Sequence, residues 1–352
     1  MILTTRRPTP AILASVAVLL AGCGADERAA APGAAETVIA AAKALAPSAR
    51  PSAGSNPATA SGRRVLRRRF AVGLRTITIV DPRRHVRIPG RGVVRRTLVT
   101  IVRYPAVGPT GRVDLVRAAP DRSAGPFPLV VFGHGFAVTP AIYARLLRAW
   151  AVAGYVVAAP VFPLENANAP GGPNESDIVN QPADMSLVIS RMLALSDASG
   201  GPFGALVDSR SIAVAGQSDG GETALAVADY PGYADPRVDA AVILSGANIG
   251  TGRLVFPTVS PPLLAAQGTA DLINPPSRTS AFFDIAPSPK YLLTLIGASH
   301  LDPYTTQQPQ LGIVERTSTA FLDRYLKNAP GASAALLAAG DRPGISVVHA
   351  DP

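Results

Sequence analysis

Residues 211–222 read SIAVAGQSDGGE. The apolar run from Ile212 to Ala215 fits a buried strand, Gly216-Gln217-Ser218-Asp219-Gly220 forms a sharp turn, and residues 223–228 (TALAVA) fit a helix. In a G-x-S-x-G turn the serine sits at a cramped backbone position, and its flanking glycines lack a Cβ because strand and helix nearly touch there. Such a turn lifts the Ser218 hydroxyl above the sheet edge. It also aims the backbone N–H of Asp219, at the start of the helix, at a point where an oxyanion can form. On five residues alone, a glycine-rich connection with an incidental serine is an equally good description.

A serine hydroxyl becomes a nucleophile at neutral pH only when a base takes its proton. The chain has four histidines. His85 lies in an Arg-rich connection, His349 in the C-terminal tail and His134 in a loop after the third strand, where a structural role bonding the loop backbone fits best. His300, in Gly297-Ala298-Ser299-His300, follows the last buried strand and so shares the C-terminal sheet edge with Ser218. It is the base by elimination and by position. A carboxylate must then hold the imidazole in its tautomer. Asp271, in Gln267-Gly268-Thr269-Ala270-Asp271, follows the preceding strand to the same edge. Its rivals are Asp302, too close to His300 in sequence to orient the ring, and Asp284, expected inside a helix. The order Ser218, Asp271, His300 is the Ser…Asp…His order of a doubly covered parallel sheet with this elbow. A second oxyanion donor is expected from Gly133-His134-Gly135-Phe136, through the N–H of Phe136 or Gly135.

The remaining segments alternate strands with helices. Residues 74–80 and 97–104 predict an antiparallel opening pair with a long connection; 128–132, 155–159, 241–245, 263–267 and 291–296 predict buried strands. Helices are expected after Thr139-Pro140, with Ile142, Leu146, Leu147 and Trp150 as its apolar stripe, over 182–195 and over 313–326. Alternation of this kind predicts an α/β class, a mostly parallel sheet with helices on both faces, in one domain over residues 65–328. Residues 329–352, rich in Ala, Gly and Pro, are expected to be a peripheral tail. Residues 161–181 are expected to be a long loop. Too few residues separate Ser245 from Leu263 for a helical cap, so an open cleft is expected, roofed at most by that loop. A small-molecule or polymeric ester suits such a cleft as substrate.

Taken in order, VVFGHGF, YVVAAPVFP, QPADMSLVISRMLAL, VAGQSDGG, LAAQGTADLINP and GASH resemble the α/β-hydrolase superfamily. Within it, the similarity is to bacterial lipases, cutinase-like polyester hydrolases and platelet-activating-factor-acetylhydrolase-like or chlorophyllase-like enzymes, and spans about residues 74–326. The resemblance implies Ser218 as nucleophile, Asp271 as acid, His300 as base, and the N–H groups of Asp219 and Phe136 as the oxyanion hole. Gln217 stands where many relatives carry His, which bears on packing beneath the elbow. No metal cluster, phosphate loop or nucleotide fingerprint is present in the sequence, and no cofactor is expected.

Residues 1–22 combine Arg6-Arg7 with an apolar stretch over 11–20 too short to span a bilayer, as a secretion signal does. Leu20-Ala21-Gly22-Cys23 resembles the lipobox of bacterial lipoproteins, which implies acylation of Cys23, anchorage to the outer face of the cell membrane and residues 23–64 as a tether. Cys23 is the single cysteine, so an internal disulfide is excluded. The formal charge of +9 is concentrated between Arg63 and Arg103. Without interleaved aromatics or a nucleic-acid motif it does not indicate a nucleic-acid partner. A solvated face of exposed strands is the simpler account, and a patch lying on anionic phospholipid is the alternative.

Overall fold

The computed structural model describes residues 68–198, 200–248 and 255–352. The expected signal segment, Cys23 and the whole tether lie outside the described residues. The strands are β1 (Ala71–Ile88), β2 (Gly92–Ala106), β3 (Leu115–Val116), β4 (Phe127–Gly133), β5 (Val156–Val161), β6 (Val207–Gln217), β7 (Ala240–Leu244), β8 (Leu263–Gly268), β9 (Lys290–Leu295) and β10 (Ser346–Asp351). The helices are α1 (Ala144–Val152), α2 (Gln181–Asp197), α3 (Asp219–Asp229), α4 (Pro276–Phe283), α5 (Asp302–Thr305), α6 (Gln310–Tyr325) and α7 (Ala332–Gly340).

The described strands form one sheet in the order β10-β9-β8-β7-β6-β4-β5-β2-β1-β3. The six strands from β5 through β4, β6, β7, β8 to β9 run parallel, and β2 and β10 join their two edges antiparallel. This is the α/β-hydrolase architecture that the sequence predicts. Alternate residues of one strand go to opposite faces. Leu129 and Val131 of β4 pack with Met185 and Ile189 of α2 and Leu225 of α3, while Val130 and Phe132 pack with Trp150 of α1 and Phe321 of α6. Both faces being apolar explains the unbroken hydrophobic runs in the central strands.

Four expectations change. The opening pair is a continuous hairpin, not two short strands with a long connection, because 85–88 pair with 92–95 beyond a bulge. The Asp81 carboxylate produces that bulge by accepting the N–H groups of Arg83 and Arg84. The arginines are not all solvated. Arg96 is 2 % exposed and makes paired hydrogen bonds to both Asp177 and Asp184, while Arg84 bonds Asp81 and Asp184. Third, the tail is part of the sheet: β10 pairs with β9, and Leu336 of α7 is fully buried against the α6 side. Finally, Thr139 makes no side-chain cap, and residues 140–143 form a 3-10 turn before α1 that leaves Ile142 partly exposed.

Residues 161–181 are also more ordered than a plain loop. Residues 175–180 form a 3-10 turn capped by Asn174, whose side chain accepts the Ser176 N–H. Because β2 runs antiparallel to β5 with Val99 opposite Val161, the tip of the opening hairpin extends past the C-terminal end of β5. Arg96 can therefore clamp this segment from the side.

Candidate active site

The elbow joins the end of β6 to the start of α3. Its glycines are dictated by space: a Cβ on Gly216 would lie 1.9 Å from the Gly220 carbonyl oxygen, and one on Gly220 would lie 2.1 Å from that of Gly133. Ser218 itself has φ +56°, a left-handed conformation costing roughly 1–3 kcal/mol in a residue with a side chain. The close packing of β6, α3 and the turn after β4 holds it there.

His300 follows β9, Asp271 follows β8, and both reach the same edge as Ser218. His300 Nε2 is 2.9 Å from Ser218 Oγ, and His300 Nδ1 is 2.8 Å from Asp271 Oδ2. A proton on Nδ1 donated to Asp271 leaves the Nε2 lone pair facing the serine hydroxyl. Asp271 is 1 % exposed, and its carboxylate also accepts the N–H groups of Ile273 and Asn274 and the Nε2–H of Gln267. Four donors, His300 included, satisfy this buried carboxyl group. Of the rivals, Asp302 accepts from Ser299 Oγ, and Asp284 is exposed at the C-terminus of α4.

Between the two candidates for the second oxyanion donor, hydrogen bonding discriminates. The Gly135 N–H points to Tyr143 Oη at 3.4 Å, whereas the Phe136 N–H has no backbone acceptor among the described residues. Asp219 is the first residue of α3, where a helix leaves its N–H groups without intrahelical partners. Ala137, next to Phe136, has φ +55° and donates its N–H to the Glu165 carbonyl.

His134 is structural, as expected. It is fully buried; its Nε2 accepts the Phe162 N–H and its Nδ1–H donates to the Gly135 carbonyl. Burial lowers its pKa from 6.5 to about 4. A lowered pKa means the unfolded chain binds the proton more tightly, so stability is complete above pH 6.5 and falls as pH drops toward 4. The expected loss is about 3 kcal/mol. Urea midpoints at several pH values should show it, and His134→Gln should flatten that part of the profile.

Three contributors were not legible beforehand. Gln217 does more than fill space: its Nε2–H donates to the His300 carbonyl, and its Oε1 accepts from Tyr143 Oη. Gln267 fixes Asp271 while Thr279 Oγ1 donates to the Gln267 Oε1. Glu165, a single acid in an Asn-, Pro- and Gly-rich stretch, is fully buried beside the Asp219 carboxyl and accepts from Gln181 Nε2.

A family model described as chlorophyllase matches residues 91–266, half of the chain. The chain belongs to the chlorophyllase family. Membership carries the α/β-hydrolase fold and hydrolase chemistry of the esterase type. The chlorophyllase match includes Phe136, Glu165, Ser218 and Asp219 and ends before Asp271 and His300, which the fold brings to Ser218 from outside it. No curated protein matches the chain.

Proposed function

We propose that this protein is an exported serine esterase that cleaves carboxylic esters through an acyl-enzyme. The observation that carries this reading is the unbroken chain Ser218 Oγ, His300 Nε2, His300 Nδ1, Asp271 Oδ2, with contacts of 2.9 Å and 2.8 Å. Ser218 Oγ attacks the ester carbonyl carbon as His300 Nε2 takes the hydroxyl proton. The carbonyl oxygen becomes an oxyanion and accepts from the N–H groups of Asp219 and Phe136. The C–O bond then breaks, and His300 returns the proton to the departing alkoxide. A water, deprotonated by His300, attacks the acyl-serine and releases the acid. Asp271 remains ionised throughout and stabilises the imidazolium.

Apolar ester chains fit the rim of this site. Leu272 and Ile273, directly after Asp271, are 94 % and 70 % exposed, and Phe136 is 40 % exposed. Solvent-facing apolar side chains that neighbour the proposed catalytic residues in the chain would gain on contact with an alkyl or acyl chain. In the same proposal the secretion signal directs export, an acylated Cys23 anchors the protein to the outer face of the membrane, and residues 23–64 are the tether.

The test compares the full chain with Ser218→Ala using short and medium p-nitrophenyl esters and a fluorophosphonate probe. Turnover and covalent labelling are expected in the wild type and absent in the variant. Equal turnover or labelling in both would remove Ser218 from the mechanism. No reaction in either would point instead to a binding protein on a hydrolase scaffold.

A further inference from the structure

Glu165 and Asp219 place two buried carboxyls beside the nucleophile, and the ester-hydrolysis scheme uses neither side chain. Glu165 is fully buried and Asp219 is 5 % exposed. Glu165 Oε1 and Asp219 Oδ2 are both buried with no hydrogen-bond partner among the described residues, and the two carboxyls are close enough to act on each other directly. Two carboxyls can hydrogen-bond only if they hold a proton between them. Burial, and then the charge of Asp219, pushes Glu165 up to about 10, so at neutral pH Glu165 carries that proton and donates it to Asp219. Asp219 Oδ1 in turn lies 3.4 Å from Ser218 Oγ.

Glu165 is tied down on its other side. Its Oε2 accepts from Gln181 Nε2, and Gln181 Oε1 accepts from Thr223 Oγ1 at 2.8 Å. Its backbone carbonyl accepts the Ala137 N–H at 2.9 Å. One residue thus touches both sides of the oxyanion site. Through its backbone it holds Ala137, beside the Phe136 donor; through its side chain it holds Asp219, whose N–H is the other donor. Ala137 and Ser218 have φ of +55° and +56°, so each half carries a strained residue that its surroundings must restrain.

We propose that Glu165, as a neutral acid, is a positioning residue of the oxyanion hole: it fixes the two N–H donors relative to each other and draws the Asp219 charge away from the developing oxyanion. The inference rests on the serine-esterase reading. Charged groups around the pair are Glu175 and Asp177 on the 3-10 turn, both raising Glu165, Arg96 on β2, which neutralises Asp177, and His300, which acts on Asp219. Loss of the shared proton would leave two like charges in contact, and the hole would open.

The experiment compares wild type, Glu165→Gln and Glu165→Leu in the full chain with p-nitrophenyl butyrate, with folding checked by circular dichroism at each pH. Glutamine can still donate to Asp219 and accept from Gln181, so kcat at pH 7 is expected to stay within about threefold of wild type. Leucine fills the space but leaves Asp219 an uncompensated carboxylate; kcat is expected to fall about 100-fold, with KM little changed. As pH rises through about 10, wild-type kcat should decline and that of Glu165→Gln should not. Infrared spectra at pH 7 should show a protonated-carboxyl C=O band in wild type that is missing from Glu165→Gln. A parallel alkaline decline in both proteins, wild-type kcat in Glu165→Leu, or no such band would each overturn the proposal. If Glu165→Leu fails to fold, the Glu165→Gln profile and the infrared band decide. Full activity in Ser218→Ala would sink the esterase reading itself, whereas loss there with unaltered Glu165 variants would sink this proposal alone.

Discussion

Alanine at Ser218, at His300, or at both together is expected to lower kcat by the same amount, about 10⁵–10⁶-fold, with little change in KM. The equality follows from the geometry. His300 Nε2 is 2.9 Å from Ser218 Oγ, and in the proposed mechanism the imidazole serves only to take and return the serine proton, so neither group would function without the other. Once one is gone, removing the second costs nothing further. Asp271→Asn is expected to cost about 10⁴-fold with the protein still folded. An asparagine amide facing His300 Nδ1 would donate where it must accept, which turns the ring to the tautomer with Nε2–H and no lone pair for Ser218. Residual turnover well above background in all of these variants would come from the N–H groups of Phe136 and Asp219. Single-turnover kinetics with an activated ester, on proteins of equal thermal stability, would check the series. Additive losses in Ser218→Ala/His300→Ala would mean that the two side chains act in separate steps.

Arg96→Met is expected to destabilise the fold by about 3–5 kcal/mol, the largest single-residue effect predicted away from the triad. Arg96 is 2 % exposed, and its guanidinium makes paired bonds to Asp177 and Asp184, both of them buried. Burial pushes the Asp184 carboxyl above its ordinary range, although Arg96 and Arg84 pull it down. Without Arg96, Asp184 keeps Arg84 at 2.7 Å, but Asp177 loses its ionic partner. Arg96→Met/Asp177→Asn should therefore be more stable than Arg96→Met alone, a coupling that double-mutant urea denaturation would measure. Arg96→Lys should restore only part of the loss, since an ammonium cannot make two paired contacts at once. Additive effects of the two substitutions would show that Arg96 acts by packing and not by charge.

What this chain's sequence determined without any structure is its periodic and short-range content. The six parallel strands are continuous apolar runs because both faces of the sheet are covered, and that pattern is legible one residue at a time. The elbow is legible because only glycine tolerates a carbonyl oxygen about 2 Å from where its Cβ would be, so Gly216 and Gly220 are forced by local sterics. The meeting of Ser218, Asp271 and His300 at one place was legible in the same way, since each directly follows a recognisable strand on one sheet edge.

Only the tertiary structure decided the contacts that join segments far apart in the chain. Arg96 looks like every other arginine in its run, and its burial depends on Asp177 and Asp184, more than 80 residues away. The tail reads as Ala- and Gly-rich filler, yet β9 offers it an open edge to pair with, and strand pairing satisfies backbone groups whatever the side chains are. Glu165 lies in a stretch with no periodicity, and nothing nearby in the chain marks it as neutral. That property exists only because the fold seals it against Asp219, where two negative charges cannot both be held without water.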